Sequence, residues 1–268
     1  MKQAIWLRVA LAVFLLLSSA CSSEIKSEGQ PTVAVTAPNS SPAAIGTVTL
    51  FTEAGGEYRV NLTAADFVEV VDNPYFPLPV GAKWVYEIRE GNGTIQTDTI
   101  EVLNEKRDVN GVQATVVRDT VSSGNQILED TYDWFAQDKY GNVWYVGEAV
   151  DNYVAGILVG HGGSWEWGVD GALPGIIMWA DPSAHIDEEY HQEYYIGEAE
   201  DMGQVLGVDE SLTVPFGSFD GVLKTLDFSN IEAGKEYKFY APGVGLLKEM
   251  HVGGGEEMVL TNMNQPKP

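Results

Sequence analysis

The residues best suited to chemistry lie in one stretch, "HIDEEYHQEYYIGEAEDM", residues 185–202. It holds two of the chain's four histidines and seven of its carboxylates. If the stretch is a strand, the odd-numbered positions from 185 to 195 are almost wholly polar, and the even-numbered positions are mostly apolar or amphipathic. This alternation predicts a half-buried strand that gathers its candidate ligands on one face.

That polar face is a candidate metal site, whose ligands would be His185, Asp187, Glu189, His191 and Glu193. Side chains two residues apart on a strand can converge on one ion, because their Cα atoms are about 6.6–6.8 Å apart. Zinc takes three or four N, O or S donors and calcium takes six or more oxygens. One strand would therefore need help from elsewhere, for example from His161 or Asp170. The solvated face of a very acidic protein would give the same pattern without any site.

A second candidate is the Gly-rich region that precedes this stretch, which holds Trp165, Trp167 and Trp179. Together with His161, these rings could form a stacking platform for a glycan or another small molecule. Buried as part of the core, they would need no function. A serine hydrolase is disfavoured, because Glu166 replaces the last glycine of a Gly-x-Ser-x-Gly motif at "GGSWE". The many carboxylates leave a glycosidase pair open.

The elements that would position these residues are mostly strands. "KWVYEIRE" and "DTIEVL" alternate with a period of two, and turn sequences such as "EGNG", "DVNG" and "DKYGN" separate such runs. The only helix signal is Thr63 followed by Asp66, a capping-box pattern that predicts a short helix over 63–71. We therefore expect residues 46–268 to form one mainly β domain, an antiparallel sheet or sandwich-like fold with one short N-terminal helix.

The N-terminus predicts export and lipidation. Lys2 and Arg8 precede a short apolar run, and small residues lead to Cys21, the only cysteine of the chain. This resembles the signal peptide of a bacterial lipoprotein (residues 1–20), although Ser18 stands where an aliphatic residue is usual. An ordinary signal peptide with a chance cysteine is the alternative, and the apolar run is too short for a comfortable membrane span. Residues 21–45 are rich in Ser, Pro, Ala and Thr, which predicts a disordered tether.

Composition limits the partners. Loss of residues 1–20 would remove Lys2 and Arg8 and no acid, so the formal charge would move from −24 to −26. Nucleic acids and anionic membrane surfaces need a basic face, so this balance disfavours both. It suits cations, basic ligands or simple solubility. With Cys21 lipidated, no thiol would remain for a disulfide.

Several phrases of the chain resemble a family of exported bacterial proteins, many of them lipoproteins, to which no activity is assigned. They include "NPYFPLPVGAKWVYE", "QDKYGNVWYVGE" and "EYKFYAPGVGLLKE", and the resemblance spans residues 72–249. It implies an antiparallel β fold and a periplasmic or surface location. It implies no catalytic residue.

Together these features favour a membrane-anchored lipoprotein of the cell envelope, held to the bilayer by a diacylglyceryl group on Cys21. Its leading predicted function is non-catalytic binding of a ligand or envelope component. One alternative is a hydrolase dependent on zinc or calcium and centred on 185–193, and another is a purely structural surface protein. An enzyme would place the polar face of 185–195 in a concavity with His161 nearby, whereas a binding platform would expose at least two of the three tryptophans.

Overall fold

The computed structural model describes residues 51–54 and 57–265. Strands β1 (Phe51–Ala54) and β2 (Glu57–Val60) form a small antiparallel pair. The remaining strands are β3 (Phe67–Val68), β4 (Lys83–Glu90), β5 (Ile95–Val109), β6 (Val112–Ser123), β7 (Gln126–Asp138), β8 (Val143–Val154), β9 (Ile157–Gly160), β10 (Trp165–Glu166), β11 (Leu173–Met178), β12 (Glu189–His191), β13 (Glu193–Tyr194), β14 (Asp201–Val214), β15 (Gly217–Ser229), β16 (Lys235–Ala241), β17 (Gly245–His251) and β18 (Glu256–Asn264). The signal peptide, Cys21 and tether predicted from residues 1–45 lie outside the described residues.

One large antiparallel sheet makes up the domain, which confirms the predicted mainly β class. Its hydrogen-bonded order is β12-β14-β15-β16-β17-β18-β4-β5-β6-β7-β8-β11-β13, and β3, β9 and β10 pair at its margins. Most neighbours in this order are consecutive in the chain, so tight hairpins connect them. Asn110 and Gly111, for example, both have positive φ in the β5–β6 turn, as a two-residue hairpin requires.

The sheet nearly closes on itself through residues 185–202, the stretch that holds the candidate metal ligands. His191 of β12 pairs with Met202 of β14, and Glu193 of β13 pairs with Pro174 of β11. Between them, the backbone N–H of Gln192 donates to the carbonyl of Asp201 at 2.8 Å. The stretch 185–202 is therefore not the single strand that its alternation predicted, because it changes partner at Gln192.

The core lies on the inner face of this sheet. Alternate residues of β4, namely Trp84, Tyr86 and Ile88, are at most 4% exposed. They pack with aromatic side chains from the facing strands, such as Phe135 and Tyr145, whose rings stack 4.9 Å apart. The period of two read from "KWVYEIRE" is thus a true division between inside and outside.

The predicted helix is reduced to one 3-10 turn, Ala64–Asp66. Its capping box is present, since the backbone N–H and the hydroxyl of Thr63 both donate to Asp66 Oδ2 at 2.9 Å. The turn ends because Phe67 and Val68 pair with β7 as strand β3. A second 3-10 turn spans Pro182–His185. Within the described part of the chain, no helix has the length and apolar character needed to cross a membrane.

Candidate functional site: buried acids and an apolar finger

The structure separates the five predicted metal ligands. His185 ends the second 3-10 turn, where its ring stacks on Trp179 at 3.7 Å and its Nδ1 contacts Glu188 Oε2 at 2.8 Å. Asp187 is exposed and has a positive φ of 65°, and Glu189 is exposed on the edge strand β12. The side chain of His185 is thus engaged with an aromatic ring and with a residue outside the predicted set.

The last two members of that set lie at the closure of the sheet. His191 is half-buried against the rings of Tyr58 (4.5 Å) and Tyr194 (5.0 Å), whereas Glu193 is only 2% exposed. The five residues therefore do not share one polar face, contrary to the expectation from their spacing. Among residues 51–54 and 57–265, no three His, Cys, Asp or Glu side chains lie in an arrangement that could hold a metal ion.

The three tryptophans are core residues, which is one of the two placements that the sequence left open. Trp165, Trp167 and Trp179 are 5%, 7% and 6% exposed. Trp165 packs edge-on against Tyr145 at 5.4 Å, because short strand β10 lays it against β8. His161, the fourth predicted ligand-binding residue, is exposed on the β9–β10 connection, where its Nδ1 lies 2.7 Å from Asp151 Oδ1.

Sequence reasoning missed a large set of buried charges. Among the described residues, one lysine, Lys238, and eleven carboxylates are buried: Asp98, Asp119, Glu129, Asp133, Asp138, Glu148, Glu193, Asp201, Asp227, Glu236 and Glu249. Asp138 has a local role, since it accepts from the Trp144 indole at 2.9 Å and holds the β7–β8 turn. The other ten lie along the inner face of the sheet. For some of these acids the sequence pattern indicated burial. Asp98, for example, is in phase with the buried Ile100 and Val102 of β5.

Lys238 organises one part of this acidic interior. Its Nζ lies 3.1 Å from Asp227 Oδ2 and 3.6 Å from Glu249 Oε2. Burial alone would lower the pKa of Lys238, but the facing carboxylates outweigh it and raise the pKa above its ordinary value. Burial, together with repulsion from Glu249, raises the pKa of Glu236 to about 10. Glu236 is therefore protonated at neutral pH.

A second part of the interior lies where the sheet closes. Glu148 of β8 and Glu193 of β13 are fully buried, and their carboxylate oxygens make no hydrogen bond of normal geometry with the described residues. Burial raises the pKa of both well above the usual range, and the charge of Glu193 adds to the effect on Glu148. Burial also raises the pKa of Asp201 to about 7, although Ser229 and Lys238 oppose the shift. Near neutral pH the region holds protons that exposed carboxyl groups would release.

One small cavity touches a member of this acidic interior. A cavity of about 40 Å³ lies at one end, lined mainly by apolar residues such as Phe76, Leu78 and Trp84, with Asp133 also on its wall. A buried water needs about 10–15 Å³ by the same measure, so this cavity admits a few waters and no organic molecule.

The most prominent apolar surface feature is the tip of the β8–β9 hairpin, residues 153–160, which we call the apolar finger. Val154, Ile157, Leu158 and Val159 are 63%, 68%, 45% and 60% exposed. Ala155 and Gly156 both have positive φ and make the two-residue turn. Strand β9 pairs only with β8 among the described strands, and no residue of the finger is charged. The sequence signal was the uncharged apolar run "VAGILVG", which lies in the Gly-rich region.

Comparisons with known proteins give limited likenesses. No family model matches the chain, and no curated protein matches it. Among solved structures, a candidate exported protein with a YmcC-like fold from Bacteroides fragilis aligns with a TM-score of 0.40 and 13% identity, covering 71% of this chain and 99% of that one. A candidate lipoprotein from Parabacteroides distasonis aligns with a TM-score of 0.34 and 14% identity, covering 72% of this chain and 99% of that one.

Proposed function

We propose that this protein is a lipid-anchored component of the bacterial cell envelope that acts by non-catalytic binding, with the apolar finger as its contact surface. The observation that carries the proposal is the exposure of four large aliphatic side chains on one uncharged hairpin tip. Contiguous exposed apolar surface on a soluble domain marks an interaction site more often than isolated apolar residues do. The residues that could do acid–base chemistry, in contrast, are largely enclosed.

Support for the anchor comes from the sequence. Lys2 and Arg8, the apolar run and the small residues before Cys21 form the pattern of a lipoprotein signal peptide. Diacylation of Cys21 would attach the chain to one membrane leaflet, facing the periplasm or the cell surface. A single acyl chain binds membranes weakly and reversibly, whereas a diacylglyceryl group supplies two chains.

Support for a non-catalytic role comes from the placement of the acids. The raised-pKa carboxyl groups Glu148, Glu193 and Glu236 are at most 3% exposed. The hydrolase alternative relied on 185–193, whose carboxylates point to different environments: Glu189 is exposed and Glu193 is buried. This geometry favours binding over catalysis.

The anchor is tested by expressing the full chain in a bacterial host fed with radiolabelled palmitate. We expect palmitate label on the wild-type chain, which should lie in the membrane fraction, and no label on Cys21→Ser. Ser22→Ala is the matched control and should behave as the wild type. Equal label in Cys21→Ser and wild type, or a wild-type chain found in the soluble fraction, would show that the lipoprotein assignment is wrong.

The hydrolase alternative has its own test. Metal content is measured by mass spectrometry on the unlipidated chain and on a Glu189→Ala, His191→Ala double variant. One tightly held zinc or calcium ion per chain, lost in the double variant, would favour the enzyme. No ion above background after soaking in both metals would favour binding.

A further inference from the structure

We propose that the apolar finger inserts into the lipid bilayer that holds Cys21, so that the domain touches its membrane at a second point. The inference rests on the proposed lipid anchor and goes beyond it by naming the partner of the finger. The partner is the hydrocarbon boundary of a bilayer, not a protein surface.

The first argument is that both faces of the finger are exposed. Ile157 and Val159 point to one side of strand β9 and Leu158 to the other, yet all three are 45–68% exposed. A flat partner surface would cover only one of these faces and leave the other in water. An occupant that surrounds the hairpin covers both, and a bilayer does so without any matched shape.

The second argument is the length and charge of the finger. The arm from Ile157 to Gly160 spans about 10 Å at roughly 3.3 Å per residue, which matches the depth of about 5–10 Å that interfacial elements reach. Asp151 and His161 lie at its base, 2.7 Å apart. The polar side chains of these two residues set a natural limit to insertion. Shallow insertion also keeps the unpaired outer edge of β9 within reach of interfacial water, which the hydrocarbon centre would not supply.

The third argument is the length of chain that leads to the anchor. Twenty-nine residues separate Cys21 from Phe51 at the start of the described domain. Fully extended, they reach at most about 100 Å, which is enough to let any side of the domain face the membrane and too short to let the domain leave it. The tether therefore keeps the finger at a high effective concentration near lipid, where weak insertion is sufficient.

Vesicle binding tests the proposal without the anchor. The chain from Ser22 onward, which lacks both the apolar run of residues 1–20 and Cys21, is sedimented with sucrose-loaded phosphatidylcholine vesicles. If the finger binds as one acyl chain does, with a partition constant of order 10⁴ M⁻¹, roughly nine-tenths of the protein is bound at about 1 mM accessible lipid. Replacing Ile157, Leu158 and Val159 with serine should weaken binding by about a hundredfold or more, since each buried aliphatic side chain contributes roughly tenfold.

A matched control removes similar apolar area from the other end of the sheet. Val68, Val70 and Val80 are 43%, 58% and 47% exposed. Their triple serine variant should bind vesicles as the parent does. Equal binding by both triple variants, or no sedimentation of the parent chain, would overturn the proposal. Loss of self-association in the finger variant, without any vesicle binding by the parent, would identify a second copy as the occupant instead.

Depth is measured with one added tryptophan. The six tryptophans from Trp84 to Trp179 are at most 7% exposed, so lipid quenchers should not reach them. Leu158→Trp adds one at the finger, and vesicles of brominated phosphatidylcholine should quench its emission, most strongly for bromine near the headgroup end of the acyl chain. Absence of extra quenching relative to the parent would refute insertion. These outcomes do not depend on palmitate labelling at Cys21, so failure of the finger and failure of the anchor are distinguishable.

Discussion

Replacing Asp201 with asparagine should change how the stability of the domain depends on pH. Burial raises the pKa of Asp201 to about 7, whereas in the unfolded chain it should be close to the ordinary value of about 3.9. Between these values the folded protein holds a proton that the unfolded chain releases, so stability falls as the pH rises. Linkage over the interval from pH 5 to pH 8 gives a loss of about 2–3 kcal/mol from this one group.

Other charged groups shift the pKa of Asp201 or add their own pH dependence to the stability of the domain. Lys238 faces Asp201 and lowers its pKa, whereas Glu232 and Asp227 raise it. Glu236, whose pKa is about 10, also makes the folded protein less stable as the pH rises, and this residue is unchanged in the variant. Asp66 acts oppositely, because its pKa of about 2 gives stability that is lost only as the pH falls below about 4.

Urea unfolding of the wild type and Asp201→Asn at pH 5, 6, 7 and 8, followed by circular dichroism, measures this effect. The amide cannot ionise, so the stability of the variant lacks the pH dependence that Asp201 gives the wild type. Between pH 5 and pH 8 the stability of the variant should therefore rise by about 2–3 kcal/mol relative to that of the wild type. If the difference in unfolding free energy between the two proteins stays constant from pH 5 to pH 8, the assignment of a protonated Asp201 is wrong.

Two further substitutions test the interior and its closure. Lys238→Met should lower the free energy of unfolding by about 3–5 kcal/mol in urea at pH 7, because it leaves buried carboxylates without their cation. The control Lys83→Met, at an exposed lysine, should lower it by less than about 1 kcal/mol. Equal losses would contradict the role of Lys238. Gly175→Ala should cost about 3 kcal/mol by the same assay, because its Cβ would overlap the backbone of Gln192 where the sheet closes. Gly160→Ala, which meets no atom within 4 Å, is the control and should be nearly neutral.

Much of the fold follows from local patterns in the sequence. Alternation in "KWVYEIRE" correctly divided β4 into an inner and an outer face, and Asn110-Gly111 correctly marked a hairpin. The helix over 63–71 was predicted too long, because a capping box specifies where a helix begins but not where it ends. Pairing of Phe67 and Val68 with β7 ended it, and no local signal reports that long-range contact.

The candidate site was harder to predict, for the same reason. The alternation of 185–195 holds only if one strand continues through it, but the segment leaves β14 for β11 at Gln192. Glu193 is therefore buried although its spacing placed it with exposed ligands. The tryptophans were ambiguous from the start, because a large ring serves equally well in a core or on a platform. The finger was overlooked within the Gly-rich region, although "VAGILVG" contains no charge.

The acidity of the chain bears on how the finger would meet a membrane. At the same end of the sheet, β4 ends at Glu90, which pairs with Glu256 at the start of β18. Acids there would be repelled by anionic headgroups, so only the uncharged finger could approach closely. Anionic phosphatidylglycerol mixed into the vesicles should then weaken binding, and added salt should restore it. The same repulsion would hold the rest of the domain away from the bilayer, so that contact is confined to the lipid on Cys21 and the tip of one hairpin.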